Sequence, residues 1–143
     1  MSSISEREAD IISEFELFGE DWEARYEYLI DMGKDLPSIA PELKTEERII
    51  QGCQSLVWLN STYADNKMHF TADSDAIITK GMVALMIRVL TDQTPEEIVK
   101  APLTFIDQIG LREHLSPNRA NGLVSMITRM KTDSAAALIE HKN

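Results

Sequence analysis

At 143 residues the chain has the length of one ordinary domain, enough to bury roughly two thirds of the surface its unfolded form would expose, and its single cysteine excludes an internal disulfide. With 24 acidic against 14 basic residues it carries a formal net charge of −10, which opposes binding to phosphate backbones and anionic lipid surfaces. Nucleic acid and membrane are therefore not expected partners. Neither "MSSISEREAD" nor the apolar run "MVALMI" has the make-up of a secretory signal or a membrane span, so the protein is expected to be soluble and cytoplasmic.

Residues 5–18 place Ile11, Ile12, Phe15 and Phe18 at helical spacing and predict a first helix. Asp21 can cap a second, with Trp22, Tyr26, Leu29 and Ile30 as its apolar stripe; Gly33 and the pair Leu36 and Pro37 end it. "PSIAPELKTEER" holds two prolines and little periodicity and reads as a loop. From Arg48 onward β-branched and aromatic residues come in short runs: "RII", "SLVWLNSTY" and, after the turn "ADNK", "KMHFTAD". In the last run Met68, Phe70 and Ala72 alternate with polar residues, whereas residues 56–59 are apolar on both parities. The middle run should be the best covered strand of a small antiparallel sheet.

A nearly all-apolar helix is expected over residues 75–90, buried along most of its circumference. Gly81 inside it costs about 1 kcal/mol relative to Ala, which is tolerable where it lets a neighbour approach closely. Thr94 with Pro95 and Glu97, and Ser116 with Pro117, are cap-and-proline starts for further helices. Leu123, Met126, Ile127 and Met130 form the stripe of the last one, whose end, "DSAAALIEHKN", is expected to fray. The expectation is one α+β domain over residues 1–143: N-terminal helices over 5–35, an antiparallel sheet of about three strands over 48–73, and a helical part over 75–140.

Cys53 stands in "IIQGCQSLVW", a polar break between two apolar runs. A free cysteine is ordinarily a small buried hydrophobe. Here Gly52, Gln54 and Ser55 surround it with polar or turn-forming residues, and loops commonly present reactive groups. Gly52 adds backbone freedom to place the thiol. Nothing nearby in sequence lowers its pKa, since the nearest cation is Arg48. His69, His114 and His141 are scattered, each reading as a solvated surface residue; with no metal-ligand spacing among them, no metal site is expected. In "ADSDA" one of Asp73, Ser74 and Asp75 would ordinarily be the N-cap of the apolar helix. Arg119, a cation in the first turn of a helix, opposes the macrodipole and needs a partner. That partner is either Glu113, in a local salt bridge, or the thiol site or an anionic group on another protein.

The stretches "WEARYEYLIDMGKDLP", "IIQGCQSLVWL", "DSDAIITKGMVALMI" and "HLSPNRANGLVSM" together resemble the SufE family, which includes CsdE, over about residues 15–130. The resemblance implies a small antiparallel sheet packed against helices, similar to the fold of IscU-type cluster scaffolds. It implies that Cys53 is a persulfide carrier, accepting sulfane sulfur from a cysteine desulfurase of the SufS or CsdA type, stimulating that enzyme, and passing the sulfur to a downstream scaffold of iron–sulfur cluster assembly. Pyridoxal phosphate would reside on the desulfurase, and this chain would hold no cofactor. Gly52, Gln54 and Ser55 would shape the loop, while Asp75 and Arg119 would position it or meet the desulfurase. A chain with one thiolate cannot by itself ligate a cluster, and exchange at sulfur needs only one. The competing readings are a thiol redox sensor working through sulfenic acid and a non-catalytic interaction module in which Cys53 only packs. The sequence leaves a homodimer open, and it predicts that the free protein shields Cys53 in a partly apolar pocket beside "LVWL".

Overall fold

The computed structural model describes residues 2–141. Ser3 starts helix α1 (Ile4–Glu16) with a capping box: its hydroxyl accepts from the Glu6 N–H and the Glu6 carboxylate accepts from the Ser3 N–H. Ile4, Ile11 and Phe15 are the buried face. Asp21 caps α2 (Trp22–Lys34), accepting from the Ala24 N–H at 3.1 Å. The following segment contains two single turns of 3-10 helix, Pro41–Leu43 and Glu46–Arg48.

Strands β1 (Val57–Ala64) and β2 (Lys67–Ser74) pair antiparallel, from Val57 opposite Ser74 to Ala64 opposite Lys67. Asp65 and Asn66 between them both have positive φ, 54° and 66°, as a two-residue hairpin turn matched to strand twist requires. The expected third strand does not form. "RII" contributes an isolated bridge, Ile49 with Trp58, supported by the Ile50 N–H donating to the Val57 carbonyl at 2.9 Å. The 3-10 turn ending at Arg48 and the left-handed Gly52 (φ 94°) bend the chain away on either side, leaving too few extended residues for a strand.

Helix α3 (Ile77–Leu90) is buried continuously from Gly81 to Ile87, as its apolar composition anticipates. Its start differs from expectation: Ala76 sits at the N-cap, and neither Asp73 nor Asp75 caps it. The Ser74 hydroxyl accepts from the Ala76 N–H at 3.3 Å, while the two carboxylates are drawn to other partners. Helices α2 and α3 cross at Gly33 and Gly81, close enough that a Cβ on Gly33 would lie 2.7 Å from the Gly81 backbone nitrogen. The chain closes with α4 (Pro95–Lys100), α5 (Phe105–Gln108), α6 (Leu111–His114) and α7 (Pro117–Glu140). Thr94 caps α4 and Ser116 caps α7. Helix α7 continues through Glu140 rather than fraying over "DSAAALIE"; Lys142 and Asn143 lie outside the described residues. Leu123, Met126, Met130 and Ala137 face the core shared with α3 and the sheet. Among the described residues no helix is long and apolar enough to cross a membrane.

Two polar networks tie this core together. The Arg7 guanidinium donates to the carbonyls of Arg88 (3.1 Å), Val89 (3.3 Å) and Thr91, occupying acceptors that the end of α3 would otherwise leave open, and Arg88 pairs with Glu14. Asp73, 6% exposed, pairs with Lys44 at 2.9 Å and Lys80 at 3.4 Å. Burial alone would raise the Asp73 carboxyl, but Lys44, the Ser74 N–H and Lys80 together outweigh it and hold the group below its ordinary value. A carboxylate depressed in the folded state stabilises the fold above its unfolded pKa, and that contribution is lost as pH falls through the folded pKa. Asp73→Asn is therefore expected to lose about 2 kcal/mol at neutral pH. Its stability should also fall less steeply than that of the wild type below about pH 4. Urea midpoints measured at several pH values check both; parallel pH curves would remove Asp73 from the account.

Candidate functional site

Cys53 lies on the loop of residues 49–56, which leaves the Ile49 bridge, turns at Gly52 and enters β1. Its exit is fixed by the strand that pairs with β1 and the residue after it. The Asp75 carboxylate accepts from the Leu56 N–H at 3.1 Å, the Ser74 hydroxyl donates to the Leu56 carbonyl at 2.8 Å, and the Asp75 N–H donates to the same carbonyl at 3.2 Å. Its tip is fixed by α7, where Asn118 donates to the Gln54 side-chain carbonyl at 3.1 Å and the Cys53 thiol donates to the Gly122 carbonyl at 3.6 Å. The left-handed φ of Gly52 favours glycine there, and a Cβ would crowd the Ser125 side chain.

The thiol is half-buried at the wall of a cavity of about 420 Å³ whose lining includes Ser55, Ile77, Met82 and Arg119. A larger cavity, about 600 Å³, lies at the far end of α7 between Tyr63, Pro95, Leu138 and His141. Its lining contains no cysteine and no residue of the loop. Burial pushes the Cys53 thiol up from its ordinary value, and among the described residues no base reaches it. In the free protein burial therefore favours the protonated thiol, the weaker nucleophile.

Of the residues singled out from sequence, Cys53, Gln54, Ser55 and Arg119 share one cavity; Gly52 adjoins it, and Asp75 clamps the loop from behind. The salt bridge from Arg119 to Glu113 does not form. Among the described residues the Arg119 side chain, exposed at the cavity, has no partner; its backbone N–H donates to the Ser116 hydroxyl. Two large apolar side chains stand exposed on these elements: Ile77, at 66%, lines the thiol's cavity, and Leu56, at 44%, ends its loop. His69 pairs with Asp92 and His114 stacks on Trp22, so neither is turned toward Cys53. Among the described residues no cluster of three potential ligands could hold a metal. Asn118, Gly122, Ser125 and Arg129 were missed in the sequence. The first three lie inside the quoted stretch "HLSPNRANGLVSM" and were available as signals; Arg129 lies beyond it.

Shielding has a direct readout. Iodoacetamide is expected to alkylate Cys53 severalfold more slowly in the native protein than in the same protein in urea. Equal rates would mean that the thiol is open to solvent.

Fold and site define a small α+β protein that presents one shielded thiol from a loop laid along a long helix. The chain belongs to the SufE family: residues 9–134 match the model described as SufE, Fe-S metabolism associated domain. It is 41% identical over 134 residues to an uncharacterized SufE-like protein of Rhizobium meliloti (strain 1021), covering 90% of this chain and 94% of that one. It is 41% identical over 104 residues to the sulfur acceptor protein CsdE of Escherichia coli (strain K12), covering 71% of each chain. A solution structure of a hypothetical protein from Thermus thermophilus shares the fold, with a TM-score of 0.77 at 21% identity over 93% of this chain and 96% of that one.

Proposed function

We propose that this protein is a sulfur acceptor that takes a sulfane sulfur from a cysteine desulfurase onto Cys53 and passes it into iron–sulfur cluster assembly. The observation that carries this reading is the setting of the lone thiol: half-buried, on a loop with a left-handed glycine, in a cavity it shares with an exposed arginine and the exposed Ile77. Membership of the SufE family and similarity to a named sulfur acceptor support it.

In the transfer the Cys53 thiol first loses its proton. The thiolate then attacks the outer sulfur of a persulfide on the desulfurase; the new S–S bond forms as the old one breaks, and the desulfurase cysteine leaves as thiolate. No net oxidation or reduction is required. Burial disfavours the first of these steps in the free protein, so docking has to supply a better environment for the thiolate. Leu56 and Ile77 offer apolar area to a partner, and Arg119 offers a cation to an acidic group or to the developing thiolate. The desulfurase would bring its own pyridoxal phosphate, and its stimulation follows from removal of the enzyme-bound sulfur. The raised thiol argues against a peroxide sensor, which needs a low-pKa, accessible cysteine.

The deciding experiment mixes the protein with a cognate desulfurase and free cysteine, then weighs the peptide containing Cys53. A gain of one sulfur atom is expected. No gain while the desulfurase turns over would refute the proposal.

A further inference from the structure

Helix α7 meets the Cys53 loop through positions 118, 122, 125 and 129, spaced by four, three and four residues and so on one stripe of the helix. Taken in that order they contact Gln54, Cys53, Gly52 and the carbonyls of residues 49 and 47. The loop therefore runs antiparallel along the helix, with Arg129 at its entrance.

The Arg129 contact differs in kind from the other three. Its guanidinium donates to the Ile49 carbonyl at 3.2 Å and the Glu47 carbonyl at 2.8 Å, and its Nε donates to the Asp133 carboxylate at 3.2 Å. Asp133 in turn accepts from the Ser61 hydroxyl on β1 at 2.7 Å. A planar fork held on one edge by a carboxylate, itself tied to the sheet, fixes the backbone at residues 47 and 49 in position and direction; a point-charge ammonium would not. Apart from this fork, the entrance is held to the sheet by the Ile49–Trp58 bridge, through the Ile50 N–H donating to the Val57 carbonyl, and by the Arg48 guanidinium donating to the Asn60 side chain on β1 at 3.0 Å.

We propose that Arg129 is a positioning residue for Cys53, setting the loop entrance so that the thiol rests in its half-buried seat against Gly122, with Asp133 and Ser61 holding Arg129 in the orientation this needs. The inference rests on Cys53 being the acceptor and extends it to a network outside the four stretches that carry the sequence resemblance.

The test is alkylation of the full-length protein by iodoacetamide, without a desulfurase, as a function of pH. Arg129→Met keeps the aliphatic stem and deletes the two backbone bonds. Its alkylation rate near neutral pH is expected to rise about tenfold, the scale set by losing a charge-assisted hydrogen bond that opposes local opening. Its pH profile should move toward that of the unfolded chain. Arg129→Lys is expected to recover only part of the shielding, and Asp133→Asn to fall between wild type and Arg129→Met. A rate and profile in Arg129→Met that match the wild type overturn the proposal. Should Arg129→Met fail to fold, Asp133→Asn and Ser61→Ala decide by the same readout, and unchanged profiles in both overturn it. Failure of the acceptor reading shows elsewhere, as a wild type that gains no sulfur from a desulfurase.

Discussion

Cys53→Ser is expected to abolish sulfur uptake while leaving the protein folded. The substitution exchanges one atom for a slightly smaller one at a half-buried position, and the serine hydroxyl can still donate to the Gly122 carbonyl that the thiol faces. Stability should change by less than about 1 kcal/mol, so a thermal melt will barely distinguish the variant. The chemistry is lost outright. A hydroxyl is not ionised near neutral pH and does not take part in thiol–disulfide exchange, and the chain has no second cysteine to substitute. Mass spectrometry after incubation with desulfurase and cysteine should find one added sulfur on the wild type and none on the variant. Docking, read by binding to the desulfurase, should persist, because Leu56, Ile77 and Arg119 are untouched. Retained sulfur in the variant would place the acceptor elsewhere. Full stimulation of the partner by Cys53→Ala would reduce the protein to an interaction module.

Gly81→Ala should have the largest effect on stability, with a sign opposite to that of the usual helix. In an exposed helix interior the change stabilises by about 1 kcal/mol, because alanine loses less backbone entropy. Here the new methyl would lie 2.8 Å from the Leu29 carbonyl carbon, and the atoms it meets are mostly backbone. A backbone cannot rotate aside as a side chain can, so α2 and α3 must separate along the whole crossing. Buried contacts of Leu29 and its neighbours are lost with it. A net loss of about 3 kcal/mol is expected, which for a chain of this size lowers the melting temperature by roughly 10 °C. An unchanged or higher melting temperature would show that the helices are not held at this spacing.

Elements whose signal is local were legible in the sequence. Asp21, Thr94 and Ser116 cap helices because a short polar side chain next to an apolar periodic run has few alternatives. Gly81 announced a close approach by standing where a helix should not want it. Cys53 stood out because it is alone and sits among residues that break strand alternation. What escaped depended on partners distant in sequence. "RII" has strand composition, yet its geometry is decided by the turns on either side. Asp75 looks like a cap, and only the fold shows that the Leu56 N–H, 19 residues earlier, claims its carboxylate instead. Arg119 required a partner by local electrostatics, and the fold leaves it without one among the described residues. Arg129 carried no local mark at all, since an arginine on a long helix is ordinarily solvated; its targets lie 80 and 82 residues away.

Arg7 and Ser2 reach the carbonyl ends and side chains of residues 88–93, more than 80 positions along the chain. On a ribosome α1 can meet α2 early, through Phe15 against Tyr28, but the carbonyls that Arg7 caps are made much later. At roughly 5 to 20 residues per second, Arg7 waits on the order of 4 to 16 s for the end of α3. For those seconds the buried face of α1, with Ile4 and Ile11, lacks its α3 neighbours and is available to whatever chaperone meets the nascent chain.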